Sequence, residues 1–261
     1  MYFDSHAHYD FKPFDEDRDK LLGQVLPAAG VELILNVGTN MQSCRDSINL
    51  AKKYDYIYAS VGIHPHNVKD MDKDGIQQLA DMTLEPKVVA IGEIGLDYHY
   101  DFSPRDIQRK RFEEQLQLAL DLQLPVIVHC REAHDDVLSI LKNSGAGEKV
   151  GGVLHCFSGD VALAQKYFNL GWHIGIGGVV TYKNAGSLRD VAAMTPQERL
   201  LIETDCPYLS PEPCRGGRND SSYLKHIVEK IAGIWGISHD KAAEISTNNA
   251  KRLFNINYTK A

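Results

Sequence analysis

The sequence predicts a (β/α)8 barrel formed as a single domain by residues 1–261. Eight short, apolar, β-prone segments follow one another along the chain, and amphipathic segments of helical length separate them, which is typical of a parallel sheet. A length of 261 residues suits one such barrel. The alternative is a doubly wound open sheet, but only a closed barrel makes the first and last strands neighbours.

The eight predicted strands are short and mostly apolar. They lie near residues 2–5, 32–37, 56–61, 88–91, 125–128, 152–154, 173–176 and 200–203. The clearest predicted helix spans residues 103–122, with Ser103 as its N-cap and Pro104 at the first helical position. Phe112 and Leu116 recur at helical spacing after them, and we expect them on the buried face of this helix.

Composition indicates an ordinary soluble protein. Hydrophobic residues make up 43% and charged residues 24% of the chain. The net charge of −7 argues against a broad surface that coats nucleic acid, although bound cations would still allow a small phosphate site. The five cysteines form no Cys-x-x-Cys pair, and neither a signal peptide nor a membrane span is recognisable. We therefore expect a cytoplasmic monomer with reduced thiols and no membrane contact.

Side chains of the metal-ligand type come directly after the predicted strands. They are His6, His8, Glu93, His129, His155 and Asp205. Because parallel strands of a barrel all end on one face, we expect these side chains to converge there. Imidazoles combined with carboxylates suit divalent transition-metal cations. The sequence therefore predicts a site for two divalent cations.

Each candidate ligand also has an ordinary structural interpretation when it is taken alone. His129 and His155 would be hydrogen-bonded core histidines, Glu93 a solvated loop residue, and Asp205 a turn cap. Their shared position at the strand ends favours metal binding instead. We predict catalytic roles for three residues. Glu93 would bridge the two cations, Asp205 would ligate one and accept the proton of the attacking water, and His64 would act beside them.

Further side chains near the same strand ends are candidates for substrate contact. His64 ends the third predicted strand, where it would bind metal or contact the substrate or its leaving group. His66 is either a substrate residue or a surface residue, and Arg131 lies on the loop after the fifth strand. Arg215 and Arg218 lie on a loop near the C-terminal end of the barrel, where guanidinium groups suit phosphodiester oxygens. A solvated loop is the alternative for both.

Other features of the chain allow two interpretations each. The glycine-rich segment 175–181 follows the seventh predicted strand, where it would bind phosphate or relieve crowding at a turn. Tyr98, Tyr100 and Tyr208 would offer faces to a nucleic-acid base or pack against the protein. His134 would face the barrel mouth or begin a helix.

Four motifs in the chain, taken together and in order, resemble the TatD family of metal-dependent deoxyribonucleases. They are His6-Ala7-His8, the segment from Gly92 to Tyr98, the segment from His155 to Gly159, and the segment from Glu203 to Pro207. The similarity extends over nearly the whole chain and includes residues 249–254 near the C-terminus.

The resemblance implies an amidohydrolase-like barrel that holds two cations, with Mg, Mn or Zn as the ion. One cation would lie on His6, His8, Glu93 and Asp205, and the other on Glu93, His129 and His155. Family members hydrolyse phosphodiester bonds of DNA, often as exonucleases, and His64 matches their substrate-side histidine. The loop after Asp205 departs from the family pattern, since Gly217 replaces a lysine and Ser221 a proline.

Three functions remain open from the sequence. The first is a metal-dependent phosphodiesterase whose substrate is DNA. The second is an amidase, lactonase or aminoacyl-ester hydrolase, in which the cations would polarise a carbonyl group. Such enzymes often use a modified lysine where this chain has Glu93. The third is a binding protein with structural metals, but structural zinc sites are rich in cysteine and none of the proposed ligands is a cysteine.

Overall fold

A computed structural model describes residues 1–257 of the chain. Its sheet contains eight parallel strands, which neighbour one another in chain order. The strands are β1 (Tyr2–Ala7), β2 (Val31–Val37), β3 (Ile57–Val61), β4 (Val88–Asp97), β5 (Val126–Arg131), β6 (Gly152–Leu154), β7 (His173–Ile176) and β8 (Leu200–Ile202).

Helices connect successive strands. They are α1 (Arg18–Lys20), α2 (Leu26–Ala28), α3 (Met41–Lys53), α4 (Gly75–Met82), α5 (Arg105–Leu122), α6 (His134–Ser144), α7 (Ala146–Lys149), α8 (Val161–Asn169), α9 (Gly186–Met194), α10 (Leu224–Trp235) and α11 (His239–Leu253). A π-helical turn, Leu21–Val25, joins α1 to α2. Within residues 1–257, no helix has both the length and the apolar character needed to cross a membrane.

The two edges of the sheet meet, as a barrel requires. Ala7 at the end of β1 pairs in parallel with Cys206 just after β8. The backbone N–H of His8 donates to the carbonyl oxygen of Cys206 at 3.0 Å, and the N–H of Asp205 donates to that of His6 at 2.9 Å. These contacts confirm the predicted (β/α)8 barrel and rule out the open sheet.

Buried apolar side chains form two groups, one on each side of the strands. Alternate residues such as Leu33 and Leu35 belong to the smaller group, together with Phe254 from the segment that follows α11. Ile34, which lies between them, belongs to the larger group that packs beneath the helices. Asn249 of α11 donates to the carbonyl oxygen of Leu200 at 2.9 Å, so α11 is fixed at the N-terminal end of the barrel.

Two strands are longer than predicted. We expected β4 to end at residue 91 and β5 at residue 128, but they continue to Asp97 and Arg131. The register shifts between Ile91 and Ile94, after which the pairing resumes with Ile94 opposite Val128 and Gly95 opposite His129. The prediction was wrong because polar side chains interrupt the apolar pattern here without interrupting the backbone ladder.

Helix α5 also begins later than predicted. The helix begins at Arg105, and Pro104 is its N-cap residue. Ser103 is fully buried, and its hydroxyl donates to the carbonyl oxygen of His66 at 3.1 Å instead of capping the helix. Phe112 and Leu116 are buried, as their helical spacing predicted.

Candidate metal centre

The C-terminal ends of the strands carry a cluster of imidazole and carboxylate groups. All the side chains predicted as metal ligands lie in it. His6 belongs to β1, Glu93 to β4 and His129 to β5, while His8, His155 and Asp205 follow β1, β6 and β8. Asp205 has a φ of 55°, a left-handed conformation that aspartate tolerates better than most residues.

One half of the cluster surrounds Oε2 of Glu93. This oxygen lies 3.5 Å from Nε2 of His6 and 3.8 Å from Nε2 of His8. The two imidazole nitrogens are 3.1 Å apart, in agreement with the period-two spacing of the His-x-His motif. Oδ1 of Asp205 lies 3.5 Å from Nε2 of His8 and 3.8 Å from Nε2 of His6.

The other half surrounds Oε1 of the same carboxylate. Nε2 of His155 lies 2.7 Å and Nδ1 of His129 lies 2.9 Å from Oε1 of Glu93. These two nitrogens are 3.3 Å apart. Nε2 of His64 is 3.5 Å from the same oxygen. Glu93 therefore presents each of its oxygens to a different set of imidazoles.

Hydrogen bonds at the far edges of two rings fix which nitrogen faces the cluster. Nδ1 of His8 lies 2.9 Å from the carbonyl oxygen of Val37, which accepts its proton. Nε2 of His129 lies 3.1 Å from Oδ2 of Asp97. In the neutral rings, lone pairs at Nε2 of His8 and Nδ1 of His129 therefore face carboxylates. Such pairs of acceptors repel each other unless a cation or a proton lies between them.

The spacing of these atoms fits the coordination shells of divalent cations. Ligand bonds of about 2.1 Å place neighbouring ligand atoms roughly 3.0–3.5 Å apart in octahedral or tetrahedral shells. The distances between adjacent donor atoms run from 2.7 Å (Glu93 to His155) to 3.8 Å (His6 to Asp205). Carboxylates, imidazoles and no cysteine are also the donor types of open, water-bearing sites. The residues present thus fit two cations that share Glu93.

Charge in this cluster is strongly stabilised despite burial. Burial alone would raise the pKa of Glu93, but the positive charge of the neighbouring imidazoles, that of His155 above all, outweighs burial when these rings are protonated and lowers this pKa well below the ordinary value. For Asp205, burial also opposes ionisation, but a proton on Nε2 of His8, together with the nearby imidazoles, lowers its pKa. Both carboxylates are therefore ionised, as metal ligands must be.

A cavity of about 640 Å³ opens over the cluster and is lined by several of the predicted substrate residues, including His64, His66 and Arg131. Nδ1 of His64 accepts from the backbone N–H of His66 at 3.2 Å. Burial lowers the pKa of His64 well below its ordinary value, so the ring is neutral and carries its proton on Nε2. His64 therefore presents a hydrogen-bond donor to the cavity.

The two arginines predicted to hold phosphate do not line this cavity. Arg218 forms a two-pronged ion pair with Asp17, at 2.7 Å to each carboxylate oxygen. The guanidinium of Arg215 lies 4.0 Å from the centre of the Tyr182 ring. The geometry therefore does not support the prediction for either residue. Arg218 is paired with an acidic side chain and Arg215 lies against an aromatic ring. Both partners come from distant segments of the chain, so the sequence could not identify them.

Other candidates divide in the same way. Tyr100 and Tyr208 line the cavity, whereas the hydroxyl of Tyr98 donates to Asp136 at 2.5 Å. His134 begins α6, and its Nδ1 lies 3.1 Å from the hydroxyl of Tyr167.

In the glycine-rich segment, the absence of side chains makes room for neighbouring atoms. A Cβ at Gly175 would overlap the carboxylate of Glu203, and one at Gly178 would overlap the carbonyl oxygen of Leu209. Relief of crowding, the second of the two interpretations offered for this segment, explains these glycines.

Sequence analysis missed two buried acids behind the ligands. Asp97 accepts from Nε2 of His129 and from Nε2 of His66 at 2.9 Å. Glu203 accepts from the backbone N–H of Cys156, and burial raises its pKa to about 8. Both acids stand close to a predicted ligand in the sequence, four residues after Glu93 and two before Asp205. A carboxylate so close to a predicted ligand, within a buried segment, could have indicated a side chain that supports the ligands from behind.

The chain is similar to known proteins over nearly its whole length. A family model described as TatD related DNase matches residues 3–255. An uncharacterised metal-dependent hydrolase of Bacillus subtilis, YabD, is 43% identical over 257 residues, which cover 98% of this chain and 100% of that protein. The 3'-5' ssDNA/RNA exonuclease TatD of Citrobacter rodentium is 37% identical over 265 residues, which cover 99% of this chain and 100% of that protein.

A solved structure extends the similarity to three dimensions. The chain is similar to YjjV, a TatD homologue from Escherichia coli K12, with a TM-score of 0.91 and 34% sequence identity. The alignment covers 98% of each chain. The barrel and the arrangement of its strands therefore follow a known architecture from end to end.

Proposed function

The chain belongs to the TatD related DNase family of metal-dependent hydrolases, and from this premise we propose that it cleaves phosphodiester bonds of nucleic acids with two divalent cations. The position of Glu93 carries the proposal. Its oxygens face separate imidazole sets, His6 with His8 and His129 with His155. A carboxylate shared in this way suits paired cations, which stabilise both the attacking and the leaving oxygen of a displacement.

The cations, when bound, supply Lewis acidity to the phosphoryl oxygens and make the attacking water more acidic. The chain's own groups then have distinct roles. Asp205, ionised beside His8, accepts the proton of the attacking water as the new P–O bond forms. His64 donates a hydrogen bond from Nε2 to the phosphate or to the oxygen that leaves as the other P–O bond breaks. Arg131, exposed at the rim of the cavity, faces a phosphate of the bound strand.

The choice of nucleic acid as the substrate rests on relatives. Relatives named 3'-5' ssDNA/RNA exonuclease TatD align over nearly the whole chain at 35–37% identity. We propose the same reaction class here, with single strands cleaved from an end. Amide or lactone hydrolysis on this barrel is the competing outcome of the test below.

The test uses wild-type protein reconstituted with Mn²⁺, Mg²⁺ or Zn²⁺. It is incubated with end-labelled single-stranded and double-stranded DNA, with single-stranded RNA, and separately with chromogenic lactones and dipeptides. We expect a ladder of shortened single strands that chelation abolishes. Glu93→Gln and Asp205→Asn should lose cleavage by at least about a hundredfold, whereas Glu132→Gln, a matched change at an exposed residue that does not line the cavity, should retain it. Turnover of lactones or peptides with intact DNA would reject the proposal.

A further inference from the structure

Among the residues that the structure describes, the exposed aromatic side chains lie around one cavity. Within residues 1–257, the exposed phenylalanine and tyrosine side chains are Tyr100, Phe102 and Tyr208, with 47%, 55% and 54% of their surface accessible. All three line the cavity over the metal centre. Leu209, also exposed, lines the same cavity. Clustered exposure of apolar side chains at a cavity marks a binding surface.

The aromatic residues form two patches on opposite sides of the cavity. Tyr100 and Phe102 follow β4, whereas Tyr208 follows β8, and Phe11 follows β1 next to it. In a closed ring of eight strands in chain order, β4 and β8 are four positions apart and therefore face each other across the barrel. The metal ligands lie between the two patches.

The patch after β4 is ordered by its own contacts. The Tyr100 and Phe102 rings stack with centroids 5.2 Å apart and an angle of 26° between their planes. The edge of His66 meets Phe102 at 4.8 Å between centroids. The guanidinium of Arg131 lies 4.9 Å from the centre of the Tyr100 ring. A planar ring and a cation are thus held side by side, which suits a base and the phosphate attached to it.

The patch after β8 is joined to the metal ligands. Phe11 stacks on His8 with centroids 4.7 Å apart and an angle of 13°. Tyr208 meets Phe11 edge to face at 6.4 Å. Tyr208 as a residue is still more than half exposed in this arrangement. One face of this patch therefore remains free for a ligand, close to Asp205.

We propose that these patches are two nucleobase subsites, one on each side of the scissile phosphate, and that they select nucleic acid whose bases are unpaired and splayed apart. The inference rests on the proposed function, which supplies the phosphodiester between the subsites. Neighbouring bases of one strand stack on Phe102 and on Tyr208, and Arg131 contacts the phosphate on the β4 side. A paired duplex cannot separate its bases in this way without first breaking base pairs.

The test removes the base from the substrate and the ring from the protein in turn. The manganese-loaded wild type, Phe102→Ala and Tyr208→Ala are assayed on a labelled oligothymidylate and on an oligomer of the same length built from abasic tetrahydrofuran phosphodiesters. Leu84→Ala is the matched control, since Leu84 is 81% exposed but does not line the cavity. Circular dichroism verifies folding, and Phe102→Leu and Tyr208→Leu, which keep apolar bulk without a flat ring, replace any variant that is unfolded.

We expect each aromatic variant to lower kcat/KM on oligothymidylate by roughly 5- to 100-fold, mainly through KM, and on the abasic oligomer by much less. The preference of the wild type for the natural strand should therefore shrink in both variants and persist in Leu84→Ala. If the wild type cleaves both oligomers equally well, or the variants keep its preference, the subsites are rejected while the proposed function stands. If the wild type cleaves neither oligomer, the proposed function itself fails.

Discussion

Asp97 holds the outer edge of the His129 ring. Its Oδ2 lies 3.1 Å from Nε2 of His129, and the opposite nitrogen of that ring, Nδ1, faces Glu93 at 2.9 Å. The carboxylate is itself fixed, because its Oδ1 accepts from the backbone N–H groups of His99 and Tyr100 at 3.0 and 2.9 Å. A carboxylate behind a ligand histidine fixes the ring and raises the basicity of the nitrogen that binds metal.

Substitution Asp97→Asn should therefore weaken one of the two proposed cation sites. Loss of the negative charge makes the Nδ1 lone pair of His129 a poorer donor, and we expect affinity for Mn²⁺ at that site to fall about 10- to 100-fold. Calorimetric titration of the metal-free protein with Mn²⁺ measures this affinity. Asp101→Asn is the control, since Asp101 lies on the loop that follows Asp97, is exposed and pairs only with Arg105 among residues 1–257. Equal affinities in the wild type and Asp97→Asn would contradict this role.

The barrel and the candidate ligands could be predicted because each depends on a local pattern and one general rule. Short apolar runs define parallel strands, and such strands all end on one face. The spacing of His6 and His8 then follows from strand geometry. Asp97 escaped prediction because its role depends on the unforeseen continuation of β4 past Glu93. Its distance from His129 follows from the register of two strands, which the sequence does not state.

Cations should stabilise the fold as well as support catalysis. The cluster brings buried carboxylates and imidazole lone pairs together, so a ligand that binds only the native state will raise the free energy of unfolding. At about a hundred times the dissociation constant of Mn²⁺, the expected gain is about 2.7 kcal/mol for each site. Urea denaturation of the wild type with Mn²⁺ and with a chelator measures the difference.

Glu93→Gln should lose most of that gain, because Glu93 contacts both sets of imidazoles. Glu132→Gln makes the same chemical change at an exposed carboxylate and should keep the gain of the wild type. An identical response to Mn²⁺ in Glu93→Gln and the wild type would show that the ions bind elsewhere.

Two arginines that look equivalent in the sequence should differ in function. Arg131 lines the cavity, and its replacement by alanine should raise KM for single-stranded DNA about 10- to 100-fold through loss of a charge-assisted hydrogen bond. Arg218 is paired with Asp17 outside the cavity, so Arg218→Ala should change KM by less than about threefold. Steady-state kinetics on a labelled oligonucleotide tests both. A larger effect for Arg218 than for Arg131 would favour the phosphate-binding role that the sequence predicts for Arg218.

Loop side chains such as Arg218 could not be placed from the sequence for a physical reason. Strand residues alternate in direction, so their neighbours follow from the period. A loop side chain pairs with whatever the fold brings near it, and Asp17 is 201 positions away from Arg218 in the chain. In this structure the guanidinium of Arg218 binds a carboxylate of the protein, where the sequence predicted a phosphate.

His173 should make the protein sensitive to acid at a place far from the metal centre. It begins β7, and Nδ1 lies 3.2 Å from the carbonyl oxygen of Gly152. Burial, with Arg199 nearby, lowers its pKa from 6.5 to about 4. Below pH 6.5 the unfolded chain binds a proton here that the folded chain does not, so stability is full above 6.5 and falls until about pH 4. Protonation of His173 alone lowers the free energy of unfolding by at most about 3 kcal/mol over this range.

His173→Gln keeps a donor for the carbonyl oxygen of Gly152 but cannot titrate. At about pH 7 the variant should be modestly less stable than the wild type, by about 1 kcal/mol, because the packing is imperfect. Near pH 5 this difference in stability should shrink or change sign, since only the wild type then loses stability through this imidazole. Urea denaturation at both pH values, with the metal chelated in every sample, measures the change. Parallel loss of stability in the two proteins would show that His173 does not set the acid limit of this fold.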